Sequence, residues 1–181
     1  MKCAACGSVF VARAGAQTCS TRCRVRLHRS VLPPKLMRDR DRWISYSETK
    51  VPLQVSGRPA SSTNPGTWSS FDVVAASCER RGFVLNGDGI ACIDLDHCFV
   101  DGVLETWAVE LLARVPQTFV EVSPSGDGLH VWGLAHVGQG RRMGLVEVYD
   151  RGRYMTVTGR PFGGFPRRLV DMQGLVDALI S

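Results

Sequence analysis

Ile90-Ala91-Cys92-Ile93-Asp94-Leu95-Asp96 is an apolar run that ends in two carboxylates. Its length and branched residues read as a buried strand. Side chains on a strand alternate faces, so Asp94 and Asp96 share one face while Ile93 and Leu95 share the other. Two acids at the end of a buried strand are costly unless a cation pairs them. A divalent metal is one solution, and a phosphate-bearing substrate commonly comes with it. A polar strand end running into a solvated turn is the other.

Upstream, Phe83-Val84-Leu85 reads as a strand, Asn86-Gly87-Asp88-Gly89 as a hairpin turn, and Ile90 to Asp96 as its antiparallel return. Before it, Phe71, Val74, Ala75 and Cys78 make the stripe of a helix capped by Ser69 or Ser70, and Trp43-Ile44-Ser45-Tyr46 is a first strand. Downstream, Leu104, Trp107, Ala108, Leu111 and Leu112 recur at helical spacing as far as Val115-Pro116. Thr118 to Val122 alternates as a strand and enters Ser123-Pro124-Ser125-Gly126-Asp127-Gly128, after which Leu129-His130-Val131-Trp132 is the next strand. Glycines and small hydroxyls let backbone N–H groups approach an anion closely, so this loop with His130 is either a phosphate cradle or an ordinary glycine hairpin. Gly138 to Arg142 reads as a basic loop. Leu145 to Asp150 alternates and places a third acid, Glu147, on a strand's polar face. Arg151-Gly152-Arg153 turns into the strand Tyr154 to Thr158, and Leu169 to Ile180 closes the chain as an amphipathic helix.

The totals fit one ordinary domain with a small appendage. At 181 residues the chain is long enough for a real core, and its composition is that of a soluble globular protein. No apolar run reaches membrane-spanning length, and Met1-Lys2-Cys3 does not open a signal peptide, so a cytosolic protein without membrane contact is expected. The net charge of +5 is unevenly placed: residues 1–42 carry ten Lys/Arg against two acids, and residues 43–181 carry twelve against fifteen. The positive excess therefore belongs to the N-terminal piece, which suits contact with a polyanion or simply a solvated basic tail.

That piece also holds Cys3, Cys6, Cys19 and Cys23, a C-x2-C…C-x3-C pattern. Four thiolates in two short pairs match tetrahedral zinc, and a segment this short lacks a core of its own. A disulfide pair suits a secreted chain better. Gly7 permits the tight turn after the first pair, Val9 to Val11 form a short strand, and Cys19 and Cys23 share one face of a helix capped by Ser20 or Thr18. That helix continues through Arg22, Arg24, Arg26 and Arg29 as a basic surface, with His28 a spare ligand or a surface histidine. Whether this finger (residues 1–29) touches nucleic acid or only props the fold stays open. Residues 30–42, with Pro33-Pro34 and alternating charges, read as a solvated linker, and the main domain is expected over 43–181.

Several blocks occur in one order: Lys50-Val51-Pro52, Gly57 to Trp68, Ile93 to His97, Ser123 to His130, and Val146 to Asp150 with Thr156-Val157-Thr158-Gly159. Together they resemble the bifunctional primase–polymerase (prim-pol) domain of phages and plasmids, a branch of the archaeo-eukaryotic primase superfamily. The resemblance implies an α+β fold in which an RRM-like antiparallel sheet with packed helices joins an N-terminal αβ unit. It implies a template-dependent DNA primase and polymerase that uses Mg2+ or Mn2+ held by Asp94, Asp96 and Glu147, beside structural Zn2+ on the four cysteines. His130 corresponds to the family's triphosphate-binding histidine, with Ser123, Ser125, Gly126, Arg151, Arg153 and Lys50 as further nucleotide-binding candidates. The family's Ser-x-His is not literal here, because Gly128 stands two before His130 and the serine role must pass to Ser125 or Ser123. Asp150 rivals Glu147 but falls on the turn. The implied partners are a single-stranded DNA template, nucleoside triphosphates and a separate replicative helicase, in the cytoplasm of a bacterial host. A non-catalytic DNA-binding replication protein on the same fold, or another metal-dependent nucleotidyl or glycosyl transferase, are the rival readings.

Overall fold

A computed structural model of the chain describes residues 1–11, 16–24 and 32–181. The expected passage of the basic helix through Arg26 and Arg29, and His28 with it, lies outside the described residues. The chain divides into two compact units, Met1–Leu32 and Pro33–Ser181.

The larger unit opens with α1 (Lys35–Arg38), followed by β1 (Trp43–Tyr46), β2 (Pro52–Leu53) and α2 (Phe71–Ser77). Then come β3 (Arg81–Asn86), β4 (Ile90–Leu95), the small hairpin β5 (Phe99–Val100) and β6 (Val103–Leu104), and α3 (Thr106–Arg114). The chain ends with β7 (Phe119–Val122), β8 (Leu129–Leu134), β9 (Arg141–Met143), β10 (Val146–Tyr149), β11 (Arg151–Val157) and α4 (Gln173–Ile180). The result is a mixed α and β unit with antiparallel sheets and few helices. A five-stranded sheet runs β7-β8-β4-β10-β9, and a four-stranded sheet runs β11-β3-β1-β2.

The expected hairpin between β3 and β4 does not form. β3 pairs with β1 and β11, whereas β4 pairs with β8 and β10. Gly87 (φ 86°) and Gly89 (φ 97°) adopt backbone that glycine favours, and the chain there passes from one sheet to the other. β10 and β11 make the same passage at Asp150, whose carbonyl accepts from the Gly87 N–H at 2.7 Å. Strands that change sheets at a bend are how two sheets come to share a corner. A register shift between Arg151 and Arg153 adds the bulge.

One face of the five-stranded sheet carries Ala91, Ile93, Leu95, Val120, Leu129, Val131 and Val148, which pack on Ala108, Leu111 and Leu112 of α3 and Leu175 and Val176 of α4. This is the main core, and it explains why β4 reads as an apolar run. A second cluster stacks Trp43 edge-on against Phe71 (4.9 Å between centroids) and Phe83 (5.1 Å). Ser70 caps α2, accepting from the Val73 N–H.

Three further expectations need correction. Residues 33–42 are not a solvated linker: Met37 is fully buried, Arg42 is nearly so, and Trp43 Nε1 donates to the Met37 carbonyl. The Arg42 guanidinium lies 4.6 Å from the centre of the Phe83 ring and pairs with Asp88 at 2.9 Å. Of the alternating charges, Arg42 is buried on a specific partner, while Asp39, Arg40 and Asp41 stay exposed. The basic stretch before Glu147 is strand β9, paired with β10, rather than a loop. The last helix begins at Gln173 instead of Leu169, because Val170 and Met172 hydrogen-bond Leu134 and extend the sheet's β8 end.

In the smaller unit Lys2 and Val9 form an antiparallel bridge, and Gly7 (φ 75°) closes the turn after Cys6 with its N–H on the Cys3 carbonyl. Residues 21–24 are helical, and the Ser20 hydroxyl accepts from the Cys23 N–H.

A candidate active site on the five-stranded sheet

Antiparallel register builds a single polar row across the sheet. Arg142 on β9 stands opposite Glu147 on β10, Glu147 opposite Asp94 on β4, Asp94 opposite His130 on β8, and His130 opposite Glu121 on β7. Residues directly opposite one another share a face. All five therefore lie on the face away from α3 and α4. The adjoining row contains Cys92, Trp132 and Phe119, and there Trp132 packs edge-on against Phe83 of the four-stranded sheet at 5.9 Å.

Beside this row is a cleft of about 410 Å³. Asp94, Asp96 and His130 line it from the five-stranded sheet, Ser123 and Ser125 from the loop after β7, and Arg153 and Tyr154 from β11. Lys50 closes the rim; its backbone is left-handed (φ 59°), and the Tyr154 hydroxyl donates to its carbonyl. Non-glycine residues held in that region are commonly found where a side chain must be presented. Among the described residues, Asp94 has one close polar partner, His130 Nε2 at 3.6 Å from Oδ1. Burial raises the Asp94 carboxyl above its usual range, His130 opposes the rise, and the nearby Asp96 and Glu147 add to it.

Glu147 is in register with Asp94 but does not line the cleft. Its carboxylate is taken by Arg142 Nε (3.0 Å), Arg153 Nη1 (3.1 Å) and the Tyr149 hydroxyl (2.7 Å). Accordingly Asp94, Asp96 and Glu147 do not bring their oxygens within 4.8 Å of one another, a grouping that the four cysteines do achieve. Gly126 and Arg151 also lie off the cleft. Arg151 makes a bidentate pair with the fully buried Asp150 at 3.1 Å, which explains why Asp150 is a structural acid at the sheet crossing.

The Ser123–Gly128 loop is internally braced. Ser123 Oγ and Ser125 Oγ are 2.8 Å apart, Ser125 donates to Asp127, and Asp127 meets His97 Nδ1 at 2.6 Å. The Ser125 hydroxyl and then His97 hold the Asp127 carboxyl below its usual range.

Several site residues escaped the sequence reading. Glu121 is wholly buried and accepts from Trp132 Nε1 (3.1 Å), Thr158 N–H (3.1 Å) and Gly159 N–H (2.8 Å), with His130 Nδ1 at 3.3 Å. Arg142, Asp127 and Tyr154 were also unassigned. An acid inside the apolar strand Phe119-Val120-Glu121-Val122 was the available signal, but its partners come from register, which sequence spacing does not contain.

In the smaller unit the four sulfurs gather within 4.8 Å, with Cys6–Cys19 at 3.7 Å and Cys19–Cys23 at 3.5 Å. A tetrahedron with Zn–S near 2.3 Å has edges of about 3.8 Å, so this cluster could hold zinc. The Cys19 N–H on its sulfur brings the Cys3 thiol down to about 6, while the Cys23, Cys3 and Cys6 sulfurs push Cys19 up to about 12. Four thiolates that close cannot all ionise without a cation among them.

No protein-family model matches the chain. Over 138 residues it is 38% identical to the DNA primase-polymerase of Nitratiruptor phage NrS-1, covering 67% of this chain and 19% of that protein. This chain is a relative of a phage DNA primase-polymerase. The match supports a prim-pol assignment, and the chain spans about a fifth of the phage protein's length. At Gly128, two residues before His130, a Cβ would stand 2.8 Å from the Leu95 carbonyl and 3.0 Å from Ser123 Oγ. A side chain there requires the strand end or the serine to shift.

Proposed function

We propose that Pro33–Ser181 is the catalytic core of a template-dependent DNA primase–polymerase of the archaeo-eukaryotic primase type, a nucleotidyltransferase that makes and extends primers. The observation that carries this reading is the cleft in which Asp94 and Asp96 face His130 and the serine–glycine loop, in a relative of a phage DNA primase-polymerase. Asp94 and Asp96 fit hard divalent cations: they are oxygen donors, adjacent on one face, with little internal pairing to give up. They would hold Mg2+ or Mn2+, with Glu147 joining them on exchange of its arginine partners. The bound ions supply Lewis-acid stabilisation of charge on a transferring phosphoryl group.

The chain's own residues bind and orient the nucleotide. The Ser123 and Ser125 hydroxyls and the His130 ring contact phosphate oxygens, and Lys50 and Arg153 neutralise charge at the rim. The cysteine cluster holds Zn2+ as a structural finger over residues 1–29, and its basic flank meets the template strand. Single-stranded DNA and nucleoside triphosphates are the substrates, a separate polypeptide supplies the helicase, and the work is done in the host cytoplasm.

Primer synthesis on single-stranded DNA with labelled nucleotides and Mn2+ or Mg2+ tests this directly. Wild type makes product that a chelator abolishes, and Asp94→Ala with Asp96→Ala makes none while keeping its circular dichroism spectrum. Undiminished synthesis by the double variant refutes the assignment of the two acids. No synthesis by wild type, with DNA binding retained, favours a non-catalytic replication protein on the same fold.

A further inference from the structure

Glu121 carries a charge-bearing side chain with zero exposure, one strand away from His130, and lines no part of the cleft. A carboxylate accepts and does not donate, so every polar neighbour must bring a proton to it. Trp132 Nε1 and His130 Nδ1 approach Oε1 at 3.1 and 3.3 Å. The Thr158 and Gly159 N–H groups approach Oε2 at 3.1 and 2.8 Å, and the Thr158 hydroxyl is shared between Oε2 (3.2 Å) and the Val122 carbonyl (2.7 Å). Such a group is fixed from three directions and cannot turn without leaving backbone donors unpaired.

The consequence falls on His130. Because Oε1 only accepts, Nδ1 carries the proton, and the opposite nitrogen, Nε2, is directed at Asp94 and the cleft. Trp132 meets the ring edge-on at 6.3 Å and limits its rotation. We propose that Glu121 is a positioning residue: by accepting from Nδ1–H it fixes the orientation of the His130 ring, so that Nε2 faces the cleft and, when it carries a proton of its own, donates to a nucleotide's phosphate oxygens. This rests on the nucleotide-binding role given to His130 above. It also gives a physical reason for Thr158-Gly159, whose two N–H groups lock the carboxylate in place. Partners of this kind in metal sites are worth about 10- to 100-fold in affinity, and a similar factor is expected here.

The test uses the full chain in two parts. In 15N-histidine-labelled protein, with His130 identified by loss of its signals in His130→Ala, wild type should show a slowly exchanging Nδ1–H that disappears in Glu121→Gln. In parallel, affinities for labelled ATP and dATP are measured for wild type, Glu121→Gln, His130→Ala and the double variant. Glu121→Gln alone should weaken binding about 10- to 100-fold, raise the nucleotide KM more than it lowers kcat, and have no further effect on top of His130→Ala. A wild-type His130 protonated only at Nε2 overturns the proposal, and that part needs no variant to fold. Full additivity in the double variant overturns it as well. If wild type binds neither nucleotide while the Nδ1–H is present, the nucleotide role of His130 is refuted and the Glu121–His130 link itself stands.

Discussion

Gly128 is where the packing of the site can be probed with one methyl group. Its added Cβ would lie 2.8 Å from the Leu95 carbonyl oxygen and 3.0 Å from Ser123 Oγ. Ordinary carbon–oxygen contacts begin at about 3.3 Å, so relief requires a shift of roughly 0.5 Å. The serine hydroxyl can rotate away; the carbonyl cannot, because it belongs to the last residue of β4, whose neighbour is Asp96. Overpacking of this kind costs about 1–3 kcal/mol, or roughly 3–10 °C in Tm for a unit of this size. The displaced strand end should also lower nucleotide incorporation roughly tenfold or more, since small misplacements of reacting groups are expensive. Thermal unfolding by circular dichroism and primer extension on the Gly128→Ala variant measure both. Gly174→Ala is the control: nothing lies within 4 Å of its added Cβ in α4, and it should leave activity intact and stabilise by about 0.5 kcal/mol. A Gly128→Ala protein as stable and active as wild type would refute the packing of the loop against β4.

Met37→Ala should cost about 2–5 kcal/mol in urea denaturation, because the residue is fully buried; a cost below about 0.5 kcal/mol would return residues 33–42 to the role of a linker. Asp150 is pushed up by burial but held lower overall by Arg151 and the Val137 and Gly138 N–H groups, so its carboxyl lies below the usual value. A depressed folded-state pKa contributes stability above the unfolded value near 3.9, lost as pH falls through the folded one. Asp150→Asn should therefore flatten the acid limb of the stability–pH curve and cost about 1–3 kcal/mol at pH 7, and an unchanged limb would contradict that. Elemental analysis should find about one zinc per chain, lost in Cys19→Ser, and a metal-free wild type would leave the finger without its metal.

Much of this architecture could be read from local signals. The run into Asp94 and Asp96, the alternation around Glu147, the Ser70 cap and the Cys3-to-Cys23 spacing each depend on a few neighbouring residues. What could not be read was which strands pair. Asn86 to Gly89 has hairpin chemistry, yet it carries the chain between sheets, because Ile93 and Leu95 are needed in the core under α3 while Phe83 packs with Trp43. The same limit hid Glu121, whose meaning depends on standing opposite His130 and beside Thr158 and Gly159. It also hid the grip of Arg142 and Arg153 on Glu147, one arginine coming from β9 beside β10 and the other from β11 in the four-stranded sheet. Residues 33–42 misled for another reason: their charges are alternating and water-seeking in sequence, but Met37 among them anchors the segment in the core.

The most direct measurement is anomalous diffraction at the manganese edge from crystals grown with Mn2+ and a non-hydrolysable nucleoside triphosphate. The account predicts manganese between Asp94 and Asp96, and the triphosphate against His130 and the Ser123–Gly128 loop. Manganese bound elsewhere, with both aspartates still without a cation and the triphosphate outside this cleft, would contradict it.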